Sequence, residues 1–265
     1  LSSANSINIG RLAPQIMYYF RAYADLLNRK VIALGDRVDF SVPTGNFGDI
    51  LAGYLAKKLG LPVGRLICAS NANNVLTEFL TTGVYDRRRP LLKTTSPSMD
   101  ILVSSNLERL LYLLSGDTAL VAGLMKGLNE KGFYKVPDSL LAAIQAEFAA
   151  GYCDDAQAEA CIGKVYRDHG YLMDPHTACG WAVAERQRGE NPMVVLSTAS
   201  PYKFSTAVLT AIGGDVSGSE YDRMERLQAM TGVPIPKNLA ALREKPERHT
   251  GVIPKEKMLE FVLGA

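Results

Sequence analysis

The stretch VPTGNFGDIL at residues 42–51 constrains the fold most. It follows an alternating apolar run at residues 38–42 and opens a helical pattern. Ile50, Leu51, Tyr54, Leu55 and Leu59 share one stripe of that pattern, which stops at Gly60-Leu61-Pro62. Residues 65–69 then read as a second strand. A strand–helix–strand unit of about thirty residues predicts a parallel sheet with a right-handed crossover. Gly45 and Gly48 flank Asn46 and Phe47, so a backbone without obstructing side chains meets the first free N–H groups of a helix. Amide donors and the positive end of the helix dipole then point at one spot, which suits a bound phosphate. A short G-x-x-G serves a tight strand-to-helix turn equally well. It is not a Walker A loop, since no Lys-Ser/Thr follows, nor the dinucleotide G-x-G-x-x-G. Ligands on parallel sheets collect at the carboxyl ends of strands, where this loop and the polar cluster Ser70, Asn71, Asn73 and Asn74 both fall.

Ahead of the loop, Leu12, Ile16, Tyr19, Phe20, Tyr23 and Leu27 recur at helical steps and predict an amphipathic helix over residues 11–28. Asn5, Ser6 and Asn8 stand where N-cap residues belong. Arg11 is unusual for capping alone, because the dipole disfavours a cation in the first turn; an anion bound there would explain it. Simple capping remains the alternative at this point.

Beyond the second strand, the charged turn at residues 86–89, closed by Pro90, and the polar run 93–99 mark a boundary. Ser105 with Glu108 reads as a capping box ahead of Leu107, Leu110, Leu111 and Leu114. Helical patterns continue through residues 118–130, 138–150 and 154–168. The segment YLMDPHTACG at 171–180 groups Asp174, His176 and Thr177 around a proline before a helix containing Trp181. A histidine there can titrate near neutrality, but capping or packing on the turn is the favoured account. Residues 193–196 form an apolar strand that runs into Ser197, Thr198 and Ser200, after which residues 203–212 resume helical spacing. The tail from Gly213 carries one short helix near residues 255–263, after Pro254.

Length and composition exclude several classes. A chain of 265 residues, 47% hydrophobic and 21% charged, builds a sizeable core without staples. Against 29 basic residues stand 27 acidic ones, and a net charge of +2 implies neither nucleic acid nor membrane as partner. Cys68, Cys153, Cys161 and Cys179 form no C-x-x-C pair, so reduced thiols and a cytoplasmic location are expected rather than disulfides or zinc. His169, His176 and His249 have no metal-ligand spacing, and no metal is expected. No run reaches the roughly 18 apolar residues of a membrane span. LSSANSIN, at residues 1–8, reads as the middle of a loop entering a helix with no initiator methionine, so the chain is expected to begin inside a larger protein.

Six segments in order carry a resemblance over nearly the whole chain: SANSINIGRLAPQIMYYF at 3–20, PTGNFGDILAGYLAKKLGLP at 43–62, ICASNANNVLTEFL at 67–80, SPSMDILVSSNLERLLY at 96–112, MDPHTACG at 173–180 and STASPYKF at 197–204. Together they resemble threonine synthase in its longer form. The resemblance implies an α/β fold, the parallel-sheet large domain of pyridoxal-phosphate fold type II (tryptophan synthase β-like), with a helix-rich inserted segment. Residues 1–85 would then hold the cofactor and substrate phosphates, 86–190 would be the helix-rich accessory segment, and 191–265 would complete the large domain. It also implies conversion of O-phospho-L-homoserine and water to L-threonine and phosphate, with pyridoxal 5'-phosphate as cofactor, in threonine biosynthesis.

By position, Gly45, Asn46, Phe47, Gly48 and Asp49 match the cradle for the cofactor phosphate, and Thr198 matches the residue whose hydroxyl meets the pyridine nitrogen. Asn5, Ser6 and Arg11 match the pocket for the substrate phosphate. The resemblance leaves no catalytic residue in the chain. The Schiff-base lysine belongs to a Phe-Lys-Asp type motif that is expected upstream of Leu1, so the partner implied is the N-terminal part of the same enzyme. Lys203 stands beside Phe204 in the wrong order and reads as an ordinary helix lysine. Ser200 replaces the histidine of the family's T-A-H-P-x-K-F pattern and receives no catalytic role. The alternatives are another fold type II pyridoxal-phosphate lyase or dehydratase, and a non-catalytic phosphate-binding fragment.

Overall fold

The computed structural model describes residues 7–248 and 250–264. The chain opens with α1 (Ile9–Leu12), a 3-10 turn over Ala13–Gln15, and α2 (Ile16–Asn28). Pro14 has no N–H to continue the helical ladder, so the one helix expected over residues 11–28 becomes two. Asn8 caps α1 by accepting the Gly10 N–H at 2.8 Å. Next come β1 (Val38–Pro43), α3 (Gly48–Lys58), β2 (Val63–Ser70), α4 (Val75–Thr82) and β3 (Val84–Asp86). A helix-rich stretch follows: α5 (Leu107–Ser115), α6 (Thr118–Lys131), the short β4 (Phe133–Lys135) and α7 (Asp138–Glu147). It runs into β5 (Phe148–Tyr152), α8 (Asp155–His169) and α9 (Pro175–Arg186). The chain closes with β6 (Met193–Val195), α10 (Ser205–Ile212), α11 (Glu220–Thr231), α12 (Lys237–Ala240) and α13 (Met258–Leu263).

Four strands form one sheet in the order β5-β2-β1-β6, and every neighbouring pair is parallel. β3 and β4 make a separate antiparallel pair. Helices cover both faces of the sheet, so β1 is buried along its whole length, as parallel strands between helical layers are. Alternate residues of β2 enter different cores. Leu66 and Cys68 join the cluster built with α2–α5, while Ile67 and Ala69 join the cluster built with α8–α11. Ser41, a polar residue inside β1, donates to the Gly180 carbonyl of α9 at 2.7 Å, which satisfies its hydroxyl and ties helix to sheet. Asp39, buried at the start of β1, accepts from the Arg65 N–H at 2.8 Å and from Asn191 Nδ2 at 2.9 Å.

Three further local expectations are corrected. The helix expected over residues 138–150 ends at Glu147, and Phe148–Tyr152 becomes the edge strand beside β2. Sheet pairing there overrides the helical preference of Ala149 and Ala150. The capping box at Ser105 does not form. α5 starts at Leu107 with Asn106 at its N-cap, and the Asn106 side-chain amide instead donates to the Asn46 carbonyl. α11 lies in the tail that was expected to hold one short helix, and Ser219 with Asp222 forms its capping box. Among the described residues no helix is long and apolar enough to cross a membrane.

Candidate functional site

β1 ends at Pro43, and the chain turns through Gly45–Phe47 into α3. The carbonyls of this turn face away from its amides. Ser104 Oγ donates to the Gly45 carbonyl, and the Asn106 N–H donates to the Asn46 carbonyl at 3.1 Å. A trans peptide sets N–H opposite C=O, so the N–H groups of Asn46 and Phe47 point away from the 104–106 segment. Asn46 Oδ1 accepts the Gly48 N–H at 2.8 Å and holds the loop tight.

Phe47 occupies the left-handed region at φ 66°, a conformation that costs a non-glycine residue about 1–2 kcal/mol. Its ring is fully buried against Phe148, 5.6 Å between centroids, and that burial offsets the strain. As N-cap of α3 it offers no side-chain acceptor to the helix's first amides. A left-handed residue followed by helical ones forms a concave nest of N–H groups suited to an anion. Gly45 lies close to the 97–99 segment: a Cβ there would stand 3.0 Å from Met99 Cα and 3.1 Å from the Ser98 carbonyl.

A cavity of about 250 Å³ opens at this turn. Gly45, Asn46, Gly48 and Asp49 border it from the loop, Arg11 and Gln15 from the first helices, and Thr198 and Ala199 from beyond β6. Ser98, Met99 and His176 complete the lining. Of the residues expected at the site, six thus meet at one space. Phe47 does not border this space, because its side chain lies in the core. Asn5 and Ser6 lie outside the described residues. Gln15, Ser98 and His176 were not expected here; Gln15 carries a signal, being one helical turn beyond Arg11.

Burial raises the Asp49 carboxyl from about 3.8 to about 6, while a hydrogen bond from Tyr19 opposes the shift. The Tyr19 hydroxyl donates to the Asp49 carbonyl at 2.8 Å and lies 3.3 Å from Oδ1. Its own ionisation is pushed well up by burial first, then by the negative charge of Asp49.

His176 is buried with both ring nitrogens engaged. Nδ1 lies 2.7 Å from Asp174 Oδ1, and Nε2 accepts the Ser98 N–H at 3.2 Å. Since Nε2 accepts, the ring carries its proton on Nδ1 and donates it to Asp174. Asp174 also caps α9 through the His176 N–H, and the Thr177 hydroxyl donates to its second oxygen. His176 is therefore both part of the cap and the clamp on the segment that lies against Gly45.

The donor set fits a phosphate group. Glycines admit close approach, carbonyls are turned aside, and a guanidinium and a hydroxyl border the same space. Among the described residues no lysine borders it. Lys203 borders a different cavity of about 400 Å³. Ser200 caps the turn at Pro201–Phe204, its hydroxyl accepting the Tyr202 N–H at 3.3 Å.

A parallel sheet with an anion cradle after one strand and a hydroxyl after its neighbour, between helical layers, is the large-domain architecture of pyridoxal-phosphate fold type II. In sequence and fold the chain corresponds to the C-terminal portion of the threonine synthases. Residues 177–262 match the family described as "Threonine synthase, C-terminal". "Threonine synthase-like 1" of Pongo abelii is 45% identical over 215 residues, covering 80% of this chain and 29% of that protein. The threonine synthase of Pseudomonas aeruginosa is 42% identical over 259 residues, covering 97% of this chain and 50% of the enzyme. The solved structure of pyridoxal-phosphate-bound threonine synthase from Brucella melitensis superposes with a TM-score of 0.77 at 46% identity, over 85% of this chain and 48% of that one. The chain thus spans half or less of the relatives it matches.

Proposed function

We propose that this chain carries the phosphate-binding half of a threonine synthase, a pyridoxal-phosphate-dependent carbon–oxygen lyase that converts O-phospho-L-homoserine and water to L-threonine and phosphate. The observation that carries this reading is the meeting of the glycine cradle, Arg11 and Thr198 at one cavity. When bound, the cofactor supplies the electron sink for breaking bonds at the substrate's α and β carbons. The amides of the Gly45–Asp49 loop would hold its phosphate. The Thr198 hydroxyl can donate or accept, so it would orient the ring nitrogen without keeping it protonated. Arg11, with Asn5 and Ser6, would take the substrate's phosphate through the planar fork of its guanidinium. His176 would keep the 97–99 segment against the cradle.

With no lysine among the described residues bordering the cavity, the chain alone is expected to bind phosphate but turn nothing over. Amide exchange at residues 46–49, with and without inorganic phosphate, reads the first expectation. Incubation with pyridoxal phosphate and phosphohomoserine, followed by borohydride, reads the second. A single lysine adduct within this chain accompanied by threonine formation would overturn it. A second reading is a related pyridoxal-phosphate lyase that releases phosphate from its substrate without forming threonine; Arg11 at the cavity fits a phosphorylated substrate in either case. Product analysis on the full-length protein separates the two.

A further inference from the structure

β3 and β4 set Tyr85 opposite Tyr134, and the two rings stack with centroids 5.3 Å apart and 9° between their planes. The two hydroxyls are placed differently. Tyr85 Oη donates to the Leu102 carbonyl at 3.0 Å and accepts the Ser104 N–H at 2.9 Å. Tyr134 is only 5% exposed, yet its hydroxyl makes no hydrogen bond among the described residues. A buried tyrosine hydroxyl ordinarily has a partner, so this one is a donor that lacks its acceptor.

Tyr134 borders a cavity of about 230 Å³ between α5, α6 and the β3–β4 pair. Leu107, Met125 and Leu128 give it apolar walls. Among the described residues Glu108 is the one charged side chain that borders it, and its carboxylate makes no ion pair or hydrogen bond there. A place in the first turn of α5 suits Glu108 to the helix dipole, but the dipole leaves the Tyr134 hydroxyl without an acceptor. Burial first, then the nearness of Tyr85 and Glu108, push the ionisation of Tyr134 well up. At neutral pH the group is therefore a proton donor close to a carboxylate that it does not bond.

We propose that this cavity is a binding site for a small aliphatic amine that also carries a hydroxyl. The ammonium would pair with Glu108, the hydroxyl oxygen would accept from Tyr134, and the aliphatic body would cover Leu107, Met125 and Leu128. The volume lies below the roughly 300–1,000 Å³ of pockets for drug-sized ligands, so the occupant is small. A free α-amino acid fits poorly. Its carboxylate would stand beside Glu108, and no lysine or arginine among the described bordering residues answers it.

The segment that borders this cavity also braces the glycine turn. Ser104 Oγ donates to the Gly45 carbonyl, and Asn106 donates to the Asn46 carbonyl through its N–H at 3.1 Å and its Nδ2 at 3.2 Å. An occupant that fixes residues 104–106 would fix the turn. Amine binding should then tighten phosphate binding, and phosphate should tighten amine binding by the same factor. The coupling rests on the phosphate cradle of the proposed function; the amine site does not.

The probe is leucinol, titrated into this chain while the Met125 methyl and Tyr134 ring resonances are followed. Saturating shifts are expected with leucinol. Isopentylamine, which lacks the oxygen, and free leucine, which adds a carboxylate, should each bind about 10-fold or more weakly, the loss of one charge-assisted or buried hydrogen bond. Glu108→Gln and Tyr134→Phe should each weaken leucinol by a similar factor. Tyr134→Phe keeps the stack on Tyr85 and removes a hydroxyl without a partner, so its thermal unfolding should be unchanged. No saturating shift with leucinol, undiminished affinity in both variants, or leucine binding as tightly as leucinol would each overturn the site. Inorganic phosphate affinity, measured by calorimetry with and without saturating leucinol, should rise at least about 5-fold. Unchanged phosphate affinity beside intact leucinol binding would overturn the coupling alone. Absence of phosphate binding in both titrations would reject the cradle and leave the amine site standing.

Discussion

The Asp49 carboxyl, raised to about 6 chiefly by burial, makes stability depend on pH in a fixed direction. Between about pH 4 and pH 6 the folded chain holds a proton that the unfolded chain has lost, so stability falls as pH rises through that window. A shift of about two units corresponds to about 3 kcal/mol if fully realised. Asp49 borders the cavity and keeps some contact with water, which reduces the figure. Asp49→Asn should flatten the fall between pH 4 and 6 and stabilise the chain at pH 7 by about 1–3 kcal/mol, read by denaturant unfolding across pH. Equal pH slopes in both proteins would count against this. Gly45 is constrained in another way. Its missing Cβ would meet backbone atoms of residues 98 and 99, which cannot swing aside as a flexible side chain could. Gly45→Ala should cost about 1–3 kcal/mol in thermal unfolding and weaken inorganic phosphate binding by titration calorimetry. Retained phosphate affinity would mean that the cradle tolerates a displaced 97–99 segment.

The elements behind the site couple it to the core, and α3 is the link. Gly53 stands where α3 crosses α2: a Cβ there would lie 2.6 Å from Tyr19 Cε1 and 2.9 Å from Leu66 Cδ2, both fully buried. Gly53→Ala should therefore destabilise by about 1–3 kcal/mol and move the Tyr19 hydroxyl off Asp49. Chemical-shift titration of Asp49 would show its carboxyl pKa rising further, because the Tyr19 hydrogen bond is what lowers it. This coupling spans 30 residues, and local pattern does not reveal it. β1, the glycine turn, α3 and β2 were legible because strand period, turn glycines and helical stripe agree over one continuous stretch. β5 was not: FAAGY continues a helical run, and only its pairing with β2 makes it a strand. β3 and β4 pair across about fifty intervening residues, so neither run carries the partner that defines it. α11 was hidden by its polarity, although the spacing of Ser219 and Asp222 announces its start. The residues of the glycine turn were readable in order along the chain. The clamp from His176 to Ser98 was not, since its two ends lie 78 residues apart.

At the scale of the molecule, the sheet divides one hydrophobic cluster from another, and the four cysteines report on both. Cys68 lies in the first, and Cys153, Cys161 and Cys179 lie in the second; all four are buried and free. Burial pushes the Cys68 and Cys161 thiols up to about 12. Cys179 is raised by its hydrogen bond to Cys153 and by burial, while that same bond draws Cys153 down. At pH 8 a thiol of pKa 12 is ionised in only about one molecule in ten thousand, so alkylation of Cys68 must await opening of the fold. Cys153 has the more reactive thiol, yet it too is closed to reagent. β2 decides whether the clusters open together, because Leu66 and Cys68 anchor it in one while Ile67 and Ala69 anchor it in the other. Separating the clusters would strip one face of a strand buried on both, exposing apolar area that no partner recovers. In graded guanidinium, pulsed alkylation read by peptide mass should give Cys68 and Cys179 the same midpoint. A midpoint for Cys179 well below that of Cys68 would mean that α8–α11 open while the glycine turn still holds, making the cradle the more persistent half of the fold.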